Sequence, residues 1–412
     1  MSSILQSIQR AIIIAYYFLT ANLFQQPHLA PDSNPSPRAM KHIVIVGGSF
    51  GGVRTAHRFL KQAAKVPASS FKVTLISRDS HFYWNIAAPR GLLPGQISDE
   101  QLFQPIAPGF AHYQKGQVEF LLASATGIDI DGKKLEIVSH DGKVSTIEYN
   151  YLVLATGSRT RADTPFKSMG STEATKEALH ELQEQINNAE NIVIIGGGAT
   201  GIETAGEIAF EYGQDKKVAL ISSGRTILEG RPAKVSQTAE KLLEALNVDL
   251  RLNAKIKDIK QLPNGTQELN FSNGKKLVAD LVIPTYGVLP NSSFIPSQFL
   301  NADGFIQVDE TLQVIGAKDV FAIGDVSNLE PPQFMFVERQ SIHMAKNIVF
   351  SINGTPLTPY KASATAMIGL QIGKKSGTGH WGNFKLPAFL VLMIRKTLFI
   401  EDLPKTVDGS ML

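Results

Sequence analysis

The chain has 412 residues, enough for two or three domains with a substantial core, and 43% hydrophobic residues, 19% charged residues and 34 Gly mark an ordinary globular α/β protein rather than a disordered or fibrous one. A net charge of +3 with dispersed Lys and Arg argues against nucleic acid as a partner. With no cysteine there is no disulfide, thiolate metal site, iron–sulfur cluster or dithiol relay, and none of the nine His falls in a metal-ligand spacing, so no metal is expected.

Residues 1–40 differ from the rest. The run AIIIAYYFLTANLF, Ala11 to Phe24, is nearly uncharged and is followed by a Pro- and Ser-bearing linker. As a helix it would span ~21 Å, short of the ~30 Å hydrocarbon core of a bilayer. Membrane-surface attachment is the expectation, with a cleaved targeting segment and a helix packed on the protein's own surface as alternatives.

From Lys41 the pattern turns regular. HIVIV (His42 to Val46) is a β-rich run, GGSFGG follows, and Val53, Ala56, Leu60 and Ala63 then recur at helical spacing. This is the strand, glycine turn and helix of a loop that holds a dinucleotide pyrophosphate, except that Ser49 stands at the second of the three glycine positions, 47, 49 and 52. A hydroxymethyl group is a small addition, and its hydroxyl can donate to a phosphate oxygen.

The next strand, VTLISRD, ends at Ser77 where dinucleotide-binding units commonly have an acid for a ribose, so either Asp79, two residues later, replaces it or that contact is weaker. The aromatics Phe82, Tyr83 and Trp84 are candidates for orienting an electron acceptor and excluding water, with ordinary core packing as the equal alternative for each. YLVLATGSR (Tyr151 to Arg159) is an apolar strand ending in Ala-Thr-Gly, with Thr156 and Gly157 at its end.

NIVIIGGGATGIETAGEIAF (Asn191 to Phe210) repeats the strand, turn and helix, and here Gly196, Gly198 and Gly201 fill every glycine position. The first glycine permits the turn, the second lets backbone approach the pyrophosphate, and the third seats the helix on the strand. Two such loops in one chain imply two dinucleotides. The strand KVALISSGR after the second loop ends without Asp or Glu, while Ser222, Ser223 and Arg225 could bind a ribose 2′-phosphate, so NADPH should serve at least as well as NADH. DLVIPTYGVLPN (Asp280 to Asn291) is read as a return crossing, and DVFAIGDVSN (Asp319 to Asn328) as a strand ending in Gly324-Asp325. FKLPAFLVLMIRKTLF (Phe384 to Phe399) has an apolar core from Leu386 to Ile394 between cations, long enough to dip into a bilayer or to form a buried element.

The A-T-G and G-D strands downstream of two glycine loops resemble flavoproteins with two dinucleotide-binding domains. The segments IVIVGGSFGG, SHFYWNIAAPRGL, ATGIDI, GGGATGIETAGEI, FAIGDV and GTGHWGNFKLPAFLVLMIRKTLF narrow the resemblance to the apoptosis-inducing-factor-like family that includes ferroptosis suppressor protein and fungal AMID-like relatives. The resemblance implies an α/β fold of two Rossmann-like domains plus a small C-terminal domain. Residues 41–160 and 285–355 would form the FAD-binding domain, 161–284 the inserted NAD(P)H-binding domain, and 356–412 the C-terminal domain. It implies FAD contacts at Gly47, Gly48, Ser49, Phe50, Gly51 and the helix-seating Gly52, and at Arg90, Ala125 and Asp325. Glu203 would be an acid near nicotinamide and flavin.

The function implied is an FAD-dependent NAD(P)H oxidoreductase with a quinone-type acceptor, in peripheral contact with an intracellular membrane, the mitochondrion being one candidate compartment and the cytoplasm the alternative. A tailoring enzyme for a soluble aromatic metabolite and a flavin-bearing apoptosis or signalling protein are the rival readings. Without Cys or metal, the acceptor has to meet the flavin directly.

Overall fold

A computed structural model describes residues 40–64, 70–362 and 367–412. The apolar run at 11–24 therefore lies outside the described residues. Strand β1 (Lys41–Val46) buries four consecutive residues, Ile43 to Val46, because it lies inside a parallel sheet covered on both faces. Helix α1 (Phe50–Gln62) follows the glycine turn, and β2 (Phe71–Ser77) pairs parallel to β1 with Val46 opposite Ile76.

Seven strands form the first sheet, in the order Val320–Ala322, Tyr151–Leu154, β1, β2, Val118–Asp129, Lys134–Ser139 and Val144–Glu148. The first five run parallel and the last two turn back antiparallel. The chain moves outward from β1 to β2 and then returns to β1's other side, so a crevice opens at the carboxyl ends between β1 and Tyr151–Leu154, where doubly wound sheets take their ligands.

The second sheet has the same logic. Strand β3 (Asn191–Ile195) leads into α2 (Ala199–Tyr212) and β4 (Lys217–Ile221), and β5 (Leu281–Pro284) returns on the other side of β3, all parallel, with Asp249–Arg251 at the far edge. A short antiparallel ribbon of Ser158–Thr160 with Val288–Pro290 joins the two crossings between the sheets.

Helix α3 (Phe334–Ile352) packs along α1, and Glu338 sends its buried carboxylate to Arg54 and Arg58. Burial alone would raise the Glu338 pKa, but the two guanidiniums hold it below the usual range. Beyond α3, β6 (Met367–Ile372) pairs with Ser376–Trp381 and the latter with Phe384–Lys385, and helix α4 (Ala388–Arg395) lies across this small sheet. The apolar stretch from Leu386 to Ile394 is thus mostly one short helix. Only Val391 of α4 is buried, while Phe384 is 82% and Phe389 71% exposed.

Candidate functional site

The crevice at the end of β1 opens into a cavity of about 870 Å³. Its floor is the first glycine loop. Gly47 has φ +128°, and a Cβ there would stand 2.2 Å from the carbonyl oxygen of Ala155 on the adjoining strand end. Gly52 seats α1 on the turn: a Cβ would stand 1.8 Å from Gly47 O. Ser49 is the N-cap of α1 with φ −120°, an extended conformation open to any residue, and its side chain makes no capping bond. Serine is therefore tolerated where the motif has glycine, and Gly47, Gly48, Ser49, Phe50 and Gly51 all line the cavity at the positive end of the helix. Gly52 lies behind them in its packing role.

Opposite the loop, Gly324 (φ +74°) turns the chain and its N–H donates to Gln340 Oε1 at 2.6 Å, which presents Asp325 to the cavity. The Asp325 carboxylate accepts from Ser158 Oγ at 2.9 Å and pairs with Lys167 Nζ at 2.8 Å. Thr156 and Gly157 form the adjoining wall. Thr156 Oγ1 donates to Asn291 O at 2.7 Å and Asn291 Nδ2 returns a bond to Thr156 O at 2.9 Å. Ala125 lines the same wall where its strand bulges before Gly127. At the far end, Ser77 Oγ accepts from Asp79 N at 3.0 Å, turning Asp79 onto the wall, where its carboxylate accepts from Ser168 Oγ at 2.8 Å. Burial raises the Asp79 pKa, against the pull of Arg78.

The second module reaches the cavity through the start of α2, with Ala199, Thr200 and Glu203 on its wall. Glu203 Oε1 accepts from Arg395 of α4 at 2.6 Å, and both side chains are largely buried. Burial dominates and holds the Glu203 pKa above its usual range, against Arg395. Gly196, Gly198 and Gly201 stand apart from the large cavity but carry the full glycine geometry. Gly196 has φ +130°, a Cβ on Gly201 would meet Gly196 O at 2.0 Å, and one on Gly198 would meet nothing within 4 Å, leaving open backbone for a pyrophosphate.

Several expected roles need correction. Arg90 does not line the cavity: its guanidinium forms two-nitrogen contacts of 2.6–3.1 Å with the buried Glu207 of α2, so it ties two elements together. Phe82 and Trp84 are fully buried, and the Trp84 indole donates to Leu398 O at 2.8 Å. They back Phe50, whose ring lies 4.8 Å from Phe82 and 5.2 Å from Trp84 and which itself faces the cavity. Tyr83 does reach the wall, with its hydroxyl bonded to Pro165 O at 2.7 Å. Arg225 is exposed and Ser222 is buried. Glu229 comes to this strand end from the following loop, since a Cβ on Gly224 would stand 2.9 Å from its carboxylate. Among the described residues, no group of three or more His, Asp or Glu is placed to hold a metal.

Two glycine-loop modules at the switch points of two parallel sheets, one of them opening onto a carboxylate-walled cavity shared with the other's helix, define a flavoprotein oxidoreductase with two dinucleotides. The chain belongs to the pyridine nucleotide-disulphide oxidoreductase family, whose profile matches residues 41–347, and its cofactors are FAD and NAD(P)H. It is 62% identical to oxidoreductase ptaL of Pestalotiopsis fici over 90% of this chain and 100% of that one. It is 28% identical to ferroptosis suppressor protein 1 of Homo sapiens over 90% of this chain and 96% of that one, which bears out the resemblance read from the motifs. Among solved structures, the sulfide:quinone oxidoreductase of Aquifex aeolicus superposes with a TM-score of 0.73 at 22% identity, covering 90% of this chain and 92% of that one. With no cysteine, this chain cannot use the disulphide of the family's name.

Proposed function

We propose that this protein passes electrons from NAD(P)H through FAD to a quinone-type acceptor that enters the same cavity from a membrane surface. One observation carries the reading: the cavity that holds the glycine loop and Asp325 is closed on another side by Glu203 and by Leu370, Leu386, Val391, Ile394 and Phe399 of the C-terminal module. An apolar wall beside a buried acid suits a flat, apolar, two-electron acceptor, and the relative named for sulfide and quinone has the same fold.

Bound FAD would supply the redox chemistry, taking hydride from nicotinamide and giving it to the acceptor. The chain's part is placement. The α1 N-terminus and the Gly47–Gly51 backbone hold the pyrophosphate, Asp79 the adenosine ribose and Asp325 the ribityl hydroxyls, with Lys167 and Ser158 fixing Asp325. Glu203 holds the proton that a reduced quinone needs, and Phe50 with the C-terminal wall keeps water out.

Outside that wall, Trp381, Phe384 and Phe389 are exposed, with Lys385 and Lys396 beside them in the chain. Apolar rings flanked by cations match a bilayer interface. Among the described residues no helix is long and apolar enough to cross a membrane, so the contact proposed is peripheral. Replacing Phe384 and Phe389 by Ser should slow reduction of long-tailed quinones in liposomes while sparing short, water-soluble ones. Equal loss on both acceptors would contradict membrane delivery, and turnover with soluble aromatic metabolites alone would contradict the quinone.

A further inference from the structure

Behind Glu203 lies a second, much smaller cavity, with about 10 Å³ of room for a water centre, walled by Arg90, Glu203, Glu207, Gln371 and Arg395. Two polar atoms on these side chains are buried and without a hydrogen-bond partner: the Nε–H of Arg395, a donor, and Oε1 of Gln371, an acceptor. Gln371 is 4% exposed. An orphaned donor and an orphaned acceptor beside a space of one water's size meet the requirements for a structural water.

The site is also well placed. The Glu203 carboxylate, held by Arg395 at 2.6 Å, also feels the backbone amide of Gln371, which favours its charged form. Glu207 follows Glu203 by one helical turn and is paired with Arg90, and Glu211, a further turn along, is one-third exposed and paired with Lys374. The three carboxylates therefore step along one face of α2 from the large cavity to solvent, with Cβ atoms ~6 Å apart.

We propose that the small cavity holds one resident water, accepting from Arg395 Nε–H and donating to Gln371 Oε1, which reprotonates Glu203 in each catalytic cycle. The inference rests on the quinone reading above. Reducing a quinone to its hydroquinone takes two electrons and two protons; bound FAD would supply both electrons and one proton as hydride, and Glu203 gives the second proton and is left as a carboxylate. The water passes a solvent proton, relayed along Glu211 and Glu207, back to Glu203. Reduction of FAD by NAD(P)H takes no proton from this path. Gln371 acts through the water and is a positioning residue.

The test is Gln371→Leu, with Gln371→Met as a second variant in case leucine loosens the β6 sheet. Quinone turnover should fall about tenfold, a general-acid effect at the low end, and should fall further as pH rises, since a carboxyl that is slowly reprotonated is emptied first. Stopped-flow reduction of the bound flavin by NADH, and turnover with ferricyanide, which accepts electrons without protons, should stay within about twofold of wild type, well under the tenfold effect. A high-resolution crystal structure of the wild-type protein should show the water between Arg395 Nε and Gln371 Oε1, and that of the variant should lack it. Equal losses with ferricyanide and quinone, unchanged quinone turnover in a folded variant, or an empty cavity in the wild-type crystal would each overturn the proposal. Wild-type protein inactive toward every quinone would instead overturn the acceptor reading, and the crystal would still decide the water.

Discussion

The two glycine-loop modules are built alike and differ in where they find an acid. In each, a serine at or just after the end of the second strand accepts through its hydroxyl from the amide two residues on, Ser77 from Asp79 at 3.0 Å and Ser222 from Gly224 at 3.2 Å. Each serine also fills the space beside the glycine loop: a Cβ on Gly48 would stand 2.4 Å from Ser77 Oγ, and one on Gly197 2.7 Å from Ser222 Oγ. The first module then presents its own Asp79 to the nucleotide cavity. The second has Gly224, and the space its side chain would take lies against Glu229, carried there by a loop that folds back so that Leu228 N donates to Gly197 O at 2.8 Å. One scaffold thus offers a carboxylate either at the strand end or from the returning loop.

The largest effects should come from the third glycines, where the two modules can be broken separately. Gly52→Ala drives a methyl group to within 1.8 Å of Gly47 O, and Gly201→Ala to within 2.0 Å of Gly196 O. Each should cost about 2–3 kcal/mol through displaced helix packing. Gly52→Ala should purify largely without FAD, as read from the flavin absorbance. Gly201→Ala should keep FAD while its NADH affinity, by isothermal titration, falls more than about tenfold, the equivalent of 1.4 kcal/mol. Loss of both cofactors in both variants would mean that the modules are not independent sites.

The acids come next. Asp79→Ala should weaken FAD by about 1.5–3 kcal/mol, the range for a hydrogen bond to a charged group, measured on reconstituted apoprotein. Glu229→Ala should raise the NADPH/NADH ratio of kcat/KM by about tenfold, because it removes a charge that repels a 2′-phosphate and leaves Arg225 nearby. An unchanged ratio would show that Glu229 does not read the ribose and would restore the reading of this strand end as acid-free. The smallest effect belongs to the one motif glycine position, 49 in the first loop, at which the two loops differ. Ser49→Gly should change FAD affinity by less than about 0.5 kcal/mol, since position 49 needs no left-handed backbone.

The same comparison explains what could be read in the sequence. Glycine positions are legible because backbone geometry demands them locally: Gly47 and Gly196 have φ near +130° and abut the neighbouring strand's end. Asp325 is legible because it follows a strand and a positive-φ glycine. Glu203 is legible from its place in the second loop's helix, but its partner Arg395 lies 192 residues away. Contacts between distant segments leave no local mark, so Lys167 on Asp325 and Glu207 on Arg90 are not legible. Glu229 is near Gly224 in sequence, but its place beside Gly224 depends on how the loop folds back. Which of Phe82, Tyr83 and Trp84 faces the cavity depends on how the segment after β2 folds under Phe50, and only Tyr83 reaches the wall. The segment from Leu386 to Ile394 was ambiguous because an apolar run of that length suits a buried element or an exposed face, and here Phe389 is exposed while Val391 is buried.

If both dinucleotides and the acceptor meet at one cavity, anaerobic double-mixing stopped-flow will show both half-reactions on the same flavin. Purified protein mixed with NADH or NADPH should lose its oxidised-flavin absorbance in a single turnover, and a second mixing with one equivalent of a short-chain quinone should restore it, faster than dissolved dioxygen does. A protein that cannot be reconstituted with FAD, or a reduced flavin that quinones leave unoxidised while dioxygen restores it, would contradict the account.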